Sequence, residues 1–73
     1  MYDFFFKYTD GNEIRCQNIT KVEYDTSNGY AQVIGEQILT HHFRIYGNLY
    51  LYSDTSNSTI DCKGLLYIKV SKK

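Results

Sequence analysis

The sequence predicts an all-β domain: a small antiparallel meander of six to seven short strands, curled into a barrel or into two packed sheets. Three observations carry this. Five glycines and no proline punctuate the chain. The runs between them are rich in Tyr, Phe, Ile, Leu and Val and alternate apolar with polar residues, the period of a half-buried strand. No window sustains a helical period. Asp10-Gly11, Asn28-Gly29 and Gly47-Asn48 are pairs that accept the positive φ of tight hairpin turns.

The predicted strands cover residues 2–9, 13–17, 21–25, 30–34, 37–45 and 49–54, with a split last segment at 59–62 and 66–71. Each hairpin register follows from one test. A slip of one residue sends a whole strand's apolar set to the other face, so the favoured register is the one that gathers the apolar residues on one side. A three-residue loop at 10–12 pairs Phe6 with Cys16 and Tyr8 with Ile14. A four-residue loop at 26–29 pairs Val22 with Val33 and Tyr24 with Ala31. A three-residue loop at 46–48 pairs Ile45 with Leu49 and Phe43 with Leu51. A four-residue loop at 55–58 pairs Leu51 with Cys62 and Ser53 with Ile60. Residues 18–21 read as a single helical turn, because Ile19 and Val22 break the two-residue alternation. The resulting core is Phe4, Phe6, Ile14, Cys16, Val22, Val33, Leu39, Phe43, Ile45, Leu49, Leu51, Ile60, Cys62, Leu66, Ile68 and Val70.

Seventy-three residues form a single domain, residues 1–73, with 71–73 expected as a frayed tail. A chain of this length buries only roughly 60% of its extended-chain surface, so its stability is marginal and oligomerisation is one of its usual supports. Eight basic and eight acidic side chains give a net charge of zero. Neutrality argues against a binder driven by a strongly basic face. The first residues carry Asp3 and only three consecutive Phe, which is neither a signal peptide nor a membrane span. The expectation is a cytoplasmic protein without membrane contact, whose thiols stay reduced. The sequons at Asn18-Ile19-Thr20 and Asn57-Ser58-Thr59 carry no weight in such a chain.

No catalytic constellation can be assembled. Cys16 and Cys62 both have core parity and read as buried, reduced thiols rather than a disulfide or metal ligands. His41 and His42 are adjacent, so on a strand they point to opposite faces and cannot share a metal. The glycines form neither a dinucleotide fingerprint nor a phosphate loop. The expectation is therefore no enzyme, no cofactor and no metal.

The sharpest feature is the outer face of the predicted central hairpin. Tyr50 and Tyr52 stand two apart on one strand. Arg44 and His42 oppose them, Tyr46 sits at the loop, and Tyr67 and Lys69 extend the patch from the last strand. Tyr and Arg are favoured at interface hot spots. Equally, aromatic and cation–π pairs on a solvated sheet stabilise it by roughly 0.2–1 kcal/mol each. Eight tyrosines are more amphipathic surface than so small a core takes in. The leading expectation is a non-enzymatic interaction module that self-associates as a homodimer through this face or a free sheet edge. The alternative is a small barrel that stacks single-stranded nucleic acid on tyrosines while Arg44, Lys69 and Lys63 contact phosphates. Carbohydrate stacking on tyrosine is a third reading that no residue singles out.

Overall fold

The computed structural model describes residues 1–43 and 47–73. Seven strands and one helical turn follow in the order β1 (Tyr2–Tyr8), β2 (Glu13–Ile19), β3 (Lys21–Thr26), β4 (Gly29–Ile34), α1 (Gln37–Thr40), β5 (Asn48–Tyr52), β6 (Asn57–Asp61) and β7 (Leu65–Lys72). They form two antiparallel sheets, β2-β1-β7 and β4-β3-β5-β6. The all-β class with two packed sheets is as the sequence predicts. Among the described residues the sheets stay open, so there is no closed barrel. Nor is the chain a simple meander, since β1 pairs with β7 and β3 with β5.

One core lies between the sheets. Tyr2, Phe4 and Phe6 of β1 face Val22, Val33, Leu49, Leu51 and Ile60 of the second sheet. Ile19, Ile38, Cys62 and Leu65 close its margins, with Tyr8, Cys16, Tyr24, Phe43, Ile68 and Val70 packed against it half-buried. Phe4 anchors the centre, with its ring 5.9 Å from Phe6 and 5.7 Å edge-on from Phe43.

The β3–β4 register is the predicted one, Val22 with Val33 and Tyr24 with Ala31, although the turn itself tightens to Ser27-Asn28 between the paired Thr26 and Gly29. The β1–β2 loop has the predicted three residues but begins one residue earlier, at 9–11, closed by the Tyr8 amide on the Asn12 carbonyl at 2.9 Å. Phe6 therefore meets Ile14 and Phe4 meets Cys16. The cause is the left-handed position at the loop's end, which Gly11 takes at φ 94° with less strain than Asn12 would. A shift of two residues keeps every side chain on its face but moves Ile14 to the open end of the sheet, where it is exposed rather than in the core. The β5–β6 loop also keeps its predicted length and moves, to 53–56. Leu49 opposes Ile60 and Leu51 opposes Ser58. Ser53 sets the position: its amide donates to the Ser56 carbonyl at 2.8 Å and its Oγ accepts the Ser56 amide at 3.1 Å.

Four expectations are overturned. The described part of the strand predicted at 37–45, residues 37–43, is not a strand: Gly35 turns the chain at φ 60°, and α1 follows, with the Ile38 amide on the Gly35 carbonyl and the His41 amide on that of Gln37. Helical geometry swaps the faces, so Ile38 is fully buried and Leu39, predicted in the core, is 45% exposed. With no strand there, β3 takes the place beside β5, and the hairpin expected around Gly47-Asn48 does not form among the described residues. Residues 18–21 are not a helical turn. Asn18 adopts φ 61° at a register shift in β2, and the chain passes directly into β3. Leu66, also predicted in the core, is 54% exposed, because a register shift lets Leu65 take the inward place opposite Tyr8. The tail is not frayed up to its last residue. Ser71 and Lys72 pair with Asp3 and Tyr2, the Lys73 amide donates to the Met1 carbonyl at 3.0 Å, and its Nζ reaches Asn18 Oδ1 at 2.7 Å.

Candidate functional site

Tyr50 and Tyr52 point outward from β5, as alternation around the buried Leu49 and Leu51 requires. Their cross-strand neighbours are Glu23 and Lys21 of β3, not Arg44 and His42. Each ring reaches diagonally to an acid. Tyr50 Oη donates to Asp25 Oδ2 at 3.0 Å and Tyr52 Oη to Glu23 Oε1 at 2.6 Å. The carboxylates oppose ionisation of both phenols and hold their pKa values above the ordinary tyrosine value. Lys21 Nζ lies 4.3 Å over the Tyr52 ring, and Tyr30 of β4 packs edge-on against Tyr50 at 5.9 Å. Both tyrosines are thus half-buried members of a cross-strand lattice, with hydroxyls and one ring face already engaged.

The other predicted patch residues that the structure describes do not join them. His42 is exposed in the segment after α1. His41 stacks between Tyr24 at 5.6 Å and Phe43 at 4.7 Å, and lines with them and Asn48 an open hollow at the end of the β3–β4 hairpin. Arg44 and Tyr46 lie outside the described residues, as does Ile45 of the predicted core. Tyr67 and Lys69 are on β7, in the other sheet. They belong to a second face, which the sequence reading does not assemble.

That second face is built on β1. Phe4 and Phe6 point inward, so Phe5 points outward, with Arg15 of β2 and Lys69 of β7 directly opposite it on either side. The Arg15 guanidinium lies 4.6 Å over the Phe5 ring, and Tyr67 is 6.0 Å from it. A shallow groove runs across these residues from Asp3 and Gln17. Lys7, one row along, pairs with Glu13 at 2.9 Å and draws the Glu13 carboxyl below its ordinary pKa, mainly through that hydrogen bond. The outward parity of Phe5 is legible in the alternation of residues 4–6. The meeting of Arg15 with Lys69 across it is not, because those strands are far apart in sequence.

Cys16 and Cys62 carry free thiols, Cys62 buried and Cys16 half-buried. Burial raises the pKa of both, with a hydrogen bond to Ser58 partly offsetting this at Cys16. Among the described residues no group of three His, Cys, Asp or Glu side chains is gathered as a metal site, and no helix is long and apolar enough to cross a membrane.

Among the described residues the first sheet has two edge strands, β2 and β7. β7 is eight residues long, pairs with β1 on one side only, and carries Leu66 and Tyr67, the latter 45% exposed. No protein-family model, no curated protein and no solved structure matches this chain.

Proposed function

We propose that the chain is a non-enzymatic, cytoplasmic interaction module that self-associates, and that it does so through the β7 edge rather than through the Tyr50/Tyr52 face. One observation supports this above the others: among the described residues the longest strand of the fold has an unpaired outer edge bearing two large exposed apolar side chains. Such an edge is a template for another strand. Net neutrality leaves no charge barrier between copies. The Tyr50 and Tyr52 hydroxyls, by contrast, are already satisfied within their own sheet.

Sedimentation across a concentration series tests the reading. Mass should rise from that of the 8.6 kDa chain toward twice that value. Leu66→Lys should hold the protein monomeric, and the pair Tyr50→Ser with Tyr52→Ser should not. A wild-type monomer at all concentrations removes the reading.

The Phe5 face favours a second reading, single-stranded nucleic acid. An outward aromatic pair, the half-buried Phe5 and the exposed Tyr67, beside Arg15 and Lys69 is the arrangement that stacks bases and meets phosphates. Its signature is oligonucleotide binding that Phe5→Ala abolishes and that weakens with salt as counterions are released.

A further inference from the structure

We infer that the outward corner formed by Tyr30, Tyr50 and Asp25 on the second sheet is a seat for a lysine side chain of a partner protein, the ammonium lying against the tyrosine rings and donating to the carboxylate. This goes beyond the self-association reading and does not depend on it, since β7 lies in the other sheet.

The fold already holds one ammonium in this way. The Tyr52 phenol donates to Glu23 Oε1 at 2.6 Å, and the Lys21 ammonium lies 4.3 Å over the Tyr52 ring and 3.9 Å from Glu23 Oε2. Ring and carboxylate attract the same group, the ring through the negative charge of its face and the carboxylate as a charged acceptor.

Two residues along β5 the tyrosine–carboxylate pair recurs without an ammonium. Tyr50 Oη donates to Asp25 Oδ2 at 3.0 Å. Alternation brings Tyr50 and Tyr52 to one face of β5, and Lys21, Glu23 and Asp25 to the same face of β3. Lys21 stands directly opposite Tyr52, but the residue directly opposite Tyr50 is Glu23, so β3 places an acid where the first seat has its cation. Meanwhile β4 adds a second ring. Tyr30 opposes Asp25, and its ring stands at 78° to that of Tyr50, with centroids 5.9 Å apart. Two steeply inclined rings beside a carboxylate make a corner, and Tyr30, 71% exposed, leaves it open to a partner. Among the described residues no cation lies over either ring and none is within ion-pair distance of Asp25.

The chemistry of the corner selects its occupant. Asp25 accepts hydrogen bonds, so it favours a primary ammonium, with three N–H donors, over a quaternary one with none. An open corner encloses little of a small free amine, whereas binding sites for small molecules are concave and cover most of the ligand. A lysine carried on a polypeptide brings further contacts from its own backbone.

The experiment follows the tyrosine ring protons of the whole chain by NMR while the blocked tripeptide acetyl-Gly-Lys-Gly-amide is added. Ionic strength is held constant, because exposed charges are screened by salt. Saturable shifts are expected at Tyr30 and Tyr50 and not at Tyr52, whose seat is taken. Asp25→Asn and Tyr30→Ala, both at exposed positions, should each raise the half-saturating concentration by about two- to fivefold. Lys21→Ala should empty the first seat and add a saturable shift at Tyr52. Equal shifts with the tripeptide carrying Gln in place of Lys would overturn the cation seat, and tighter binding of the trimethyl-lysine tripeptide would overturn the role of Asp25. Putrescine bound as tightly as the tripeptide would overturn the polypeptide source. No saturable shift at Tyr30 and Tyr50 with the fold intact would overturn the inference as a whole, whatever the oligomeric state.

Discussion

Ile38 and Leu39 are neighbours whose fates the two views of this chain assign oppositely, so truncating each in turn is a decisive perturbation. Ile38 is fully buried beneath the second sheet's edge, and α1 packs against both β4 and β7. Ile38→Ala removes three buried carbons, worth about 0.8 kcal/mol each, or roughly 2.4 kcal/mol from transfer alone. The unfilled cavity brings the expected loss into the range of about 2–5 kcal/mol. The helical turn has no side-chain cap and only four residues, so burial of this one side chain is what holds it in place. A domain of 73 residues has a total stability of roughly 4–11 kcal/mol, so the loss is a large share of the whole. In urea, with a slope of about 1 kcal/mol per molar, the midpoint should fall by roughly 2–5 M. Leu39→Ala, at a position 45% exposed, should cost less than about 1 kcal/mol. The assay is equilibrium unfolding followed by circular dichroism at equal slope. A Leu39→Ala loss equal to or above that of Ile38→Ala would refute the reasoning and restore an extended strand at 37–45.

Tyr50 and Tyr52 should ionise above the free tyrosine pKa in a spectrophotometric titration, and Asp25→Asn and Glu23→Gln should each bring the matching phenol down. Since the folded values are raised, whatever stability these phenols contribute is present below the unfolded tyrosine pKa and is lost as pH rises through the folded one. A native titration in which neither carboxylate variant moves a phenol would contradict the hydrogen-bond geometry. With a thiol reagent at neutral pH, Cys62 should be silent until the protein is denatured and Cys16 should react first but slowly, because burial raises both pKa values. Rapid native labelling of Cys62, or an intact mass lower by two hydrogens, would count against it. Asn18→Ala, at φ 61°, should destabilise by roughly 1 kcal/mol while Asn18→Gly should not, as read from urea midpoints; equal effects would show that the left-handed conformation is not the cause.

The division between what was legible in the chain and what was not follows the range of each interaction. Alternation is local, so Phe4 and Phe6 inward with Phe5 outward, and Leu49 and Leu51 inward with Tyr50 and Tyr52 outward, follow from the sequence alone. Loop lengths were legible in part: two loops kept their predicted length while sliding by one or two residues, and the loop after β3 tightened to two. Those slides were decided by Gly11 taking the left-handed place and by Ser53 closing its own turn. Parity survived them, which is why most of the core was foreseen. Ile14, Leu39 and Leu66 were not placed correctly, each for a non-local reason. Ile14 has the right parity but lies at the sheet's open end. Leu39 depends on a four-residue helical turn anchored by the tertiary burial of Ile38. Leu66 is displaced by a register shift against β1. The functional faces show the same division. Sequence could say that tyrosines were in excess. Only the pairing of β3 with β5 shows that Tyr50 and Tyr52 are engaged by Asp25, Glu23 and Lys21. Only the pairing of β1 with β7 puts Lys69 beside Phe5 and leaves an eight-residue strand at the edge of the fold. Strand order depends on contacts between segments tens of residues apart, and the alternation of each strand is the same whichever neighbour it finds.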